Sequence, residues 1–287
     1  MFPAFIIIKI LDSAYEFKKY AFLAFPERVR LHIRKTINSE YFKWYFLLQH
    51  NPKYACECLL SDDLKIVHLG IEYGADDYNA CLGSNNLEIA LLGIEYGADD
   101  FDQCLYSNNL EVVKLGIKNG ATDFNQCLYS TDLEIVRLGI ANSANCYDYC
   151  LFSNNLEVVK LGITNGSTDF NNCLYSNNLE VVRLGIANGA NYFNNCLYSN
   201  NIEVVQLGLE NGANRFDNCL HSDNLEIMHF GLANGAKYFS RCLHSDNLEV
   251  VRLGIKYLEK VGEKINIIDF ESRNIDVLLW INMVFKN

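Results

Sequence analysis

The chain has 287 residues, a formal net charge of −11, and a composition of 50% hydrophobic and 21% charged residues. This apolar content is sufficient for a buried core and excludes a disordered chain. Because the charge provides no basic footprint for phosphate groups, we expect no binding to nucleic acid.

The chain begins with an apolar run, residues 1–8, that stops at Lys9. The run is too short for a membrane span, and it lacks the cationic lead and the small-residue cleavage site of a signal peptide. Eleven cysteines without a secretory signal indicate a reducing compartment. The sequence therefore predicts a cytoplasmic protein without membrane association.

Residues 1–57 precede the repeats, and we assign them to an N-terminal helical cap. The stretch NSEYFKWYFLLQH at 38–50 has aromatic residues where later helices have aliphatic ones. The stretch FPAFIIIKILDSAYEF at 2–17 is loosely similar to the start of an F-box, which is Leu-Pro followed by an Ile-x-x-Ile-Leu helix. Two interpretations of residues 1–37 stay open, an ordinary cap and an F-box-like contact surface of a ubiquitin-ligase adaptor.

Residues 58–264 contain nine copies of one 23-residue unit, aligned on a cysteine. The segment CLYSNNLEVV occurs identically at 104–113 and 173–182. The aligned cysteines are Cys58, Cys81, Cys104, Cys127, Cys150, Cys173, Cys196, Cys219 and Cys242. A constant period without insertions is typical of a solenoid, and two helices fit in each unit. The sequence therefore predicts an all-α solenoid of stacked helix-turn-helix units.

The first part of each copy predicts a short helix, which we name helix A. In TDFNNCLYS at 168–176, Phe170, Cys173 and Leu174 lie at positions i, i+3 and i+4 and form one apolar face. Thr168 or Asp169 is the expected N-cap residue of this helix. A helix of two turns is unstable alone in water, so neighbouring elements must hold it.

The second part of each copy predicts a longer helix, helix B. An Asp, Asn or Thr stands four residues after each aligned cysteine, and in eight copies a Glu follows three residues later. Since this spacing is close to a capping box, we expect helix B to begin there and to run about eleven residues to the glycine of NGA. The expected N-cap residues are Asp62, Asn85, Asn108, Thr131, Asn154, Asn177, Asn200, Asp223 and Asp246.

Helix B is apolar over most of its circumference; from 110 to 118 only Glu111, Lys114 and Lys118 are polar. A helix of this kind is buried on several sides, so neighbouring copies must cover it. Its polar strip predicts surface ion pairs at i, i+3 spacing. The predicted pairs are Glu111/Lys114, Glu134/Arg137, Glu157/Lys160, Glu180/Arg183 and Glu249/Arg252.

A glycine recurs inside every helix B, as at Gly116. Glycine in a helix interior costs about 0.5–1 kcal/mol relative to alanine, so its repetition requires a reason. We favour a close approach of a neighbouring helix, and the alternative is a ligand groove left by the missing side chains. Residues 265–287 include NIDVLLWINMVF at 274–285, which predicts a C-terminal capping helix.

The segment NLEVVRLGIANGAN at 178–191 closely resembles the second helix and exit of ankyrin repeats, of the short type found in large DNA viruses of amoebae. The resemblance covers residues 58–260. Ankyrin repeats have about 33 residues and a Thr-Pro-Leu-His motif, whereas this chain has FNNCL in that place and no proline after Pro52. The resemblance implies a stacked array without β-hairpin fingers, partner binding through a concave surface, no catalysis, and host cytoplasm if the protein is viral.

The nine aligned cysteines do not predict a metal or disulfide ladder. Packed helices lie about 10 Å apart, whereas a zinc site needs thiolates ~2.3 Å from one ion and a disulfide needs Cα atoms within ~7 Å. A cysteine on the apolar face of helix A is therefore a small core residue. The close pairs Cys56/Cys58 and Cys146/Cys150 have no second pair at zinc-finger spacing.

Nothing in the repeated units predicts catalysis or a cofactor site. The chain has no glycine-rich phosphate loop and no nucleophile elbow. His68 and His229 occupy positions that hold Lys or Arg in other copies, so they are surface variation. We expect no enzyme activity, no metal and no cofactor.

Helix A also carries two rows of side chains that suit a protein-binding face, because tyrosine provides large contact area at small entropic cost. The first row, which we name the aromatic stripe, is Tyr106, Tyr129, Phe152, Tyr175, Tyr198, His221 and His244. The second, the flanking row, is Gln103, Gln126, Tyr149, Asn172, Asn195, Asn218 and Arg241. Two interpretations stay open, a partner-binding face and rings that stack on one another to seal the core.

The leading prediction of function is a protein–protein interaction scaffold that binds a partner of unknown identity through helix A. One alternative is the ubiquitin-ligase adaptor that uses residues 1–37. The other is a structural protein that associates with itself through exposed ends.

Overall fold

The structure of the chain is a computed structural model, and it describes residues 40–263 together with residues 265 and 277. The chain divides into two compact units, Met1–Lys53 and Tyr54–Asn287. In the first unit the helix Glu40–His50 is present, as predicted from NSEYFKWYFLLQH, and Trp44, Leu47 and Leu48 are buried. Residues 1–37, with the F-box-like segment, lie outside the described residues.

The second unit is a solenoid of helix pairs with the predicted 23-residue period, and no β-strand occurs in the described residues. Helix A of successive copies spans Cys56–Leu60, Asn79–Leu82, Phe101–Tyr106, Phe124–Tyr129, Tyr147–Phe152, Phe170–Tyr175, Phe193–Tyr198, Phe216–His221 and Phe239–His244. Helix B spans Leu64–Glu72, Leu87–Glu95, Leu110–Lys118, Leu133–Ala141, Leu156–Thr164, Leu179–Ala187, Ile202–Glu210, Leu225–Ala233 and Leu248–Val261. A short 3₁₀ turn, Pro52–Tyr54, precedes the first pair. None of the helices in the described part has the length and apolarity that crossing a bilayer requires.

Most helices A are 3₁₀ helices of six residues, and the prediction of their own N-caps was wrong. Asp169 stands at the N-cap position of Phe170–Tyr175 but its side chain makes no capping hydrogen bond. The preceding copy holds the two residues that lead into the helix, because Asp148 Oδ1 accepts from the backbone N–H groups of Thr168 at 2.6 Å and Asp169 at 3.0 Å. A helix too short to stand alone is thus held by its neighbour at the residues that precede it.

Helix B begins one residue later than predicted. Asn178, and not Asn177, is the N-cap residue of Leu179–Ala187, since its backbone is extended and its Oδ1 accepts from the N–H of Glu180. The observed N-cap residues are Asp63, Asn86, Asn109, Asp132, Asn155, Asn178, Asn201, Asn224 and Asn247. Glutamate then occupies the second helical position, so the predicted capping box does not form. All but the last helix B have nine residues, not eleven.

The residue that was expected to cap helix B instead connects successive copies. Asn154 Oδ1 accepts from Ser176 Oγ at 2.7 Å and from the N–H of Asn177 at 2.7 Å, and its carbonyl oxygen accepts from Asn178 Nδ2 at 2.9 Å. Ser176 Oγ in turn accepts from the N–H of Asn178 at 3.0 Å. The repeated Ser-Asn-Asn segment therefore satisfies backbone donors across each junction between copies.

The core forms between copies, as the apolar circumference of helix B predicts. One cluster combines Leu105, Val113 and Ala121 of one copy with Cys127 and Ile135 of the next, and all five are buried. The same arrangement recurs along the array. At its C-terminal end Val277 is helical and buried with Val251 and Leu258, while the remaining residues of NIDVLLWINMVF lie outside the described part.

The internal glycine of helix B permits a close approach to helix A, and the alternative of a ligand groove is wrong. A Cβ atom on Gly116 would lie 2.5 Å from Cys104 Cβ and 3.0 Å from the carbonyl oxygen of Phe101. The glycine and the aligned cysteine therefore form one contact, in which both residues must be small. The glycine that ends helix B, such as Gly120, has a φ of +99°, as its C′ position requires.

Candidate interaction surface

The aromatic stripe lies on the solvent side of helix A. In each copy the aligned cysteine and the following leucine point into the core; Cys173 and Leu174, for example, have no exposed surface. The next residue therefore faces outward, and the exposed fraction is 52% for Tyr106 and 36% for Tyr198. Tyr129, Phe152 and Tyr175 lie between these values, and His221 and His244 are exposed as well.

Five rings of the stripe, from Tyr129 to His221, form a continuous ladder. Their centroids are 6.2 Å apart for Tyr129 and Phe152, 6.0 Å for Phe152 and Tyr175, and 5.7 Å for Tyr175 and Tyr198. The ring of His221 follows at 5.3 Å from that of Tyr198. These tilted contacts are favourable by about 0.5–1.5 kcal/mol each. The stripe therefore stacks on itself and stays half-exposed, while the seal of the core consists of the cysteines and leucines beneath it.

Successive helices A approach one another at more positions than successive helices B do. Cα atoms of consecutive helices A approach within 8 Å along the whole row, whereas consecutive helices B approach this closely only at a few positions. The aromatic stripe therefore lies on the side of the array where successive copies approach at the most positions.

The flanking row is more buried than the stripe and is bonded within the array. Gln103 Nε2 donates to Asp100 at 2.8 Å, and Asn218 Nδ2 donates to the carbonyl oxygen of Asn194 at 3.0 Å. Gln126, Asn172 and Asn195 make similar hydrogen bonds. Tyr149 stacks on Tyr129 with centroids 4.3 Å apart, and Arg241 Nη1 donates to Asn218 Oδ1 at 2.9 Å. This row supports the stripe and presents less free surface than the sequence suggested.

A third row was missed in the sequence. It occupies the N-cap position of helix A, which is Asp100, Asp123, Cys146, Asp169, Tyr192, Arg215 and Tyr238 in copies three to nine. We name it the rim row. Tyr192 and Tyr238 are 67% and 63% exposed, more than the tyrosine and phenylalanine rings of the stripe. The signal was present in the sequence, since this is the position where the acidic residues of early copies give way to aromatic and cationic ones.

Helix B presents a solvated face, as predicted. Lys114 lies 2.7 Å from Glu111, and Arg137 lies 2.9 Å from Glu134. The pairs Glu157/Lys160 and Glu249/Arg252 form in the same way. Because both partners of each pair are more than 40% exposed, these contacts contribute at most about 0.5 kcal/mol each.

The aligned cysteines are free thiols in the core. Burial raises the pKa of the Cys104 and Cys173 thiols to about 11, and that of Cys242 to about 12. They are therefore protonated at neutral pH, when a metal ligand or a nucleophile would have to be a thiolate. Within the described residues no group of three or more potential metal-ligating side chains occurs. Cys56 and Cys146 are the exposed thiols.

The C-terminal end of the stripe is cationic. Burial, followed by the nearby charges of Arg241 and His244, lowers the pKa of His221. Arg241 also lies over the ring of Tyr238, with its guanidinium carbon 5.6 Å from the ring centroid. Acidic side chains dominate the other end, where Asp99, Asp100 and Asp102 belong to one copy. The helix A side of the array therefore carries acidic side chains in an early copy and cationic side chains in the last copies.

Neither a protein-family model nor a curated protein matches the chain.

Proposed function

We propose that the chain is a protein–protein interaction scaffold that binds its partner through the aromatic stripe on helix A. The observation that carries this proposal is the half-exposed ring ladder of Tyr129, Phe152, Tyr175, Tyr198 and His221, held at spacings of 5.3 to 6.2 Å. Its rings are pre-ordered by stacking, so a partner would bury them at small further entropic cost.

The resemblance of the helix B segment to ankyrin repeats supports the same function, since it implies partner binding on a concave surface. We place the protein in the cytoplasm, and in the host cytoplasm if the chain is viral. Catalysis, cofactors, nucleic acid and membranes have no part in the proposal.

Replacing four rings of the stripe should abolish partner binding. The variant carries Tyr106→Ala, Tyr129→Ala, Tyr175→Ala and Tyr198→Ala, and affinity capture from a lysate compares it with the full chain. Because truncation of central interface tyrosines commonly costs 2 kcal/mol or more each, we expect a loss of at least about 30-fold in affinity for any captured protein.

The matched control changes four side chains on the solvated face of helix B to alanine, namely Lys114, Arg137, Lys160 and Arg183. It should retain the partner, and circular dichroism and thermal unfolding should show that both variants fold. Retention of the same partner by the stripe variant would refute the proposal and direct attention to residues 1–37, where the ubiquitin-ligase adaptor alternative places the contact. If no protein is captured, and the molecular mass of the chain in sedimentation experiments rises with its concentration, the self-assembling alternative is favoured.

A further inference from the structure

We propose that the last three copies of the array hold a binding site for a carboxylate-rich protein segment, formed by Tyr192, Arg215, Lys237, Tyr238 and Arg241. This inference rests on the proposed function, and it specifies which part of helix A is used and the chemistry of the partner. The segment would place its carboxylates near Arg215, Lys237 and Arg241 and pack its apolar side chains on Tyr192 and Tyr238.

At Tyr192 and Arg215 the side chains of the rim row make no capping hydrogen bond within the array. Tyr192 and Arg215 stand at N-cap positions of helix A, yet neither side chain caps the helix. The preceding copy holds these two residues through their backbones, since Asn171 Oδ1 accepts from the N–H of Tyr192 at 2.9 Å and Asn194 Oδ1 from that of Arg215 at 2.9 Å. Packing therefore does not dictate the residue type here, and a change from Asp to Tyr, Arg and Tyr points to contact with something outside the array.

The composition of these positions is that of an interface centre. Tyrosine and arginine are the residue types enriched at binding hot spots, where they provide apolar area and a planar set of donors. Tyr192 and Tyr238 are the two most exposed large apolar side chains of the described residues. Arg215 and Lys237, between and beside them, are exposed as well.

The charge of this end is not neutralised within the array. The carboxylate of Asp217 accepts from the backbone N–H groups of Lys237 and Tyr238, at 2.5 and 2.9 Å. Asp223 Oδ1 likewise accepts from Ser245 Oγ and the N–H of Asp246. Within the described part of the chain, no ion pair involves Arg215, Lys237 or Arg241. These three cations therefore remain available to carboxylates of a partner.

Acidic residues at the opposite end of the array restrict the binding of an acidic segment to the last copies. Asp99, Asp100 and Asp102 would repel an acidic segment, and the protein as a whole carries −11 charges. Such repulsion acts over about 8 Å at physiological salt, less than the length of the array. An acidic segment is therefore repelled at the N-terminal copies, and this repulsion does not reach copies seven to nine.

The test is selection from a display pool of random short peptides on the immobilised full chain. We expect the selection to enrich peptides that combine Asp or Glu with aromatic or aliphatic residues. A variant with Arg215→Glu, Lys237→Glu and Arg241→Glu should bind the selected peptides at least about tenfold more weakly at low salt, with a smaller difference at high salt. A second variant with only Arg215→Glu and Lys237→Glu keeps the Arg241–Asn218 hydrogen bond and should show most of the loss.

The matched control places three reversals on helix B, at Lys114, Lys118 and Arg137, and should bind like the original chain. Enrichment of basic peptides, or of none, would overturn the inference. If the selected peptides fail to bind the four-tyrosine stripe variant but bind the charge-reversal variants normally, the scaffold function is supported and this site is refuted. Preferential binding of a single-stranded oligonucleotide over the peptides would refute both.

Discussion

The free energy of unfolding of the array should fall steeply as the pH rises from about 9 toward 11. The cause is the set of nine aligned thiols, each fully buried in the folded chain. Burial raises the pKa of seven of them to about 11 and that of Cys58 and Cys242 to about 12. An exposed cysteine of the unfolded chain ionises near pH 8.5 to 9.

Whether rising pH stabilises or destabilises the folded chain depends on which state, folded or unfolded, keeps the thiol protons. Between these two pKa values the unfolded chain has lost its thiol protons while the folded chain holds them, so rising pH favours unfolding. Below about pH 7 both states are protonated and the thiols contribute no pH dependence. At pH 10 each thiol lowers the unfolding free energy by about 1.4 to 2 kcal/mol. Nine together lower it by about 12 to 18 kcal/mol, at least as much as the whole stability of many domains.

Urea unfolding followed by circular dichroism at several pH values measures this slope. The matched variant carries Cys150→Ala, Cys173→Ala and Cys196→Ala and so removes three of the nine thiols. Its stability at pH 7 should be lower because three small cavities are created, but its slope between pH 9 and 11 should be smaller by about a third. An unchanged slope would show that these thiols do not govern alkaline unfolding.

Gly185→Ala should destabilise the array by about 3 kcal/mol, although alanine is the better helix former. A Cβ atom there would lie 2.6 Å from Cys173 Cβ and 3.2 Å from the carbonyl oxygen of Phe170. Both neighbours are fixed to the backbone and cannot rotate away, so helix A and helix B of this copy would have to separate. Thermal and urea unfolding measure the cost.

Two controls separate crowding from other effects of glycine. Gly189→Ala lies in open space at a φ of +100°, so its cost should be limited to backbone strain of about 1 to 2 kcal/mol. Adding Cys173→Gly to Gly185→Ala removes the closest clash, and the double variant should lose less stability than the sum of the two single changes. Additive losses would contradict the direct contact between these two positions.

The sequence predicts the architecture because every copy packs against its neighbours in the same way, so the residues that this packing requires recur with the same period. The constant period, the apolar circumference of helix B and the glycine at Gly120 predict the helix pair and its exit, and the structure agrees. Gly116 and Cys104 each indicated a small core residue, but only the folded chain shows that they form one contact.

Other features depend on contacts that sequence spacing does not reveal. Asn177 and Asn178 are equally good N-cap residues by type, and the choice between them depends on the next copy, whose Ser199 Oγ and Asn200 N–H both donate to Asn177 Oδ1. The backbone that leads into helix A is held by a residue 20 positions earlier. The aromatic stripe was predicted from its period alone, whereas the rim row was missed because its residues change along the chain.

Site-specific photo-crosslinking tests most directly whether helix A is the binding face. One form carries p-benzoylphenylalanine in place of Tyr175 on the stripe, and the other carries it in place of Arg183 on helix B of the same copy. Irradiation in a lysate should yield a discrete protein adduct from the position of Tyr175 and none from that of Arg183. An adduct from the position of Arg183 alone, or the same adduct from both, would contradict the assignment of the binding face to the aromatic stripe.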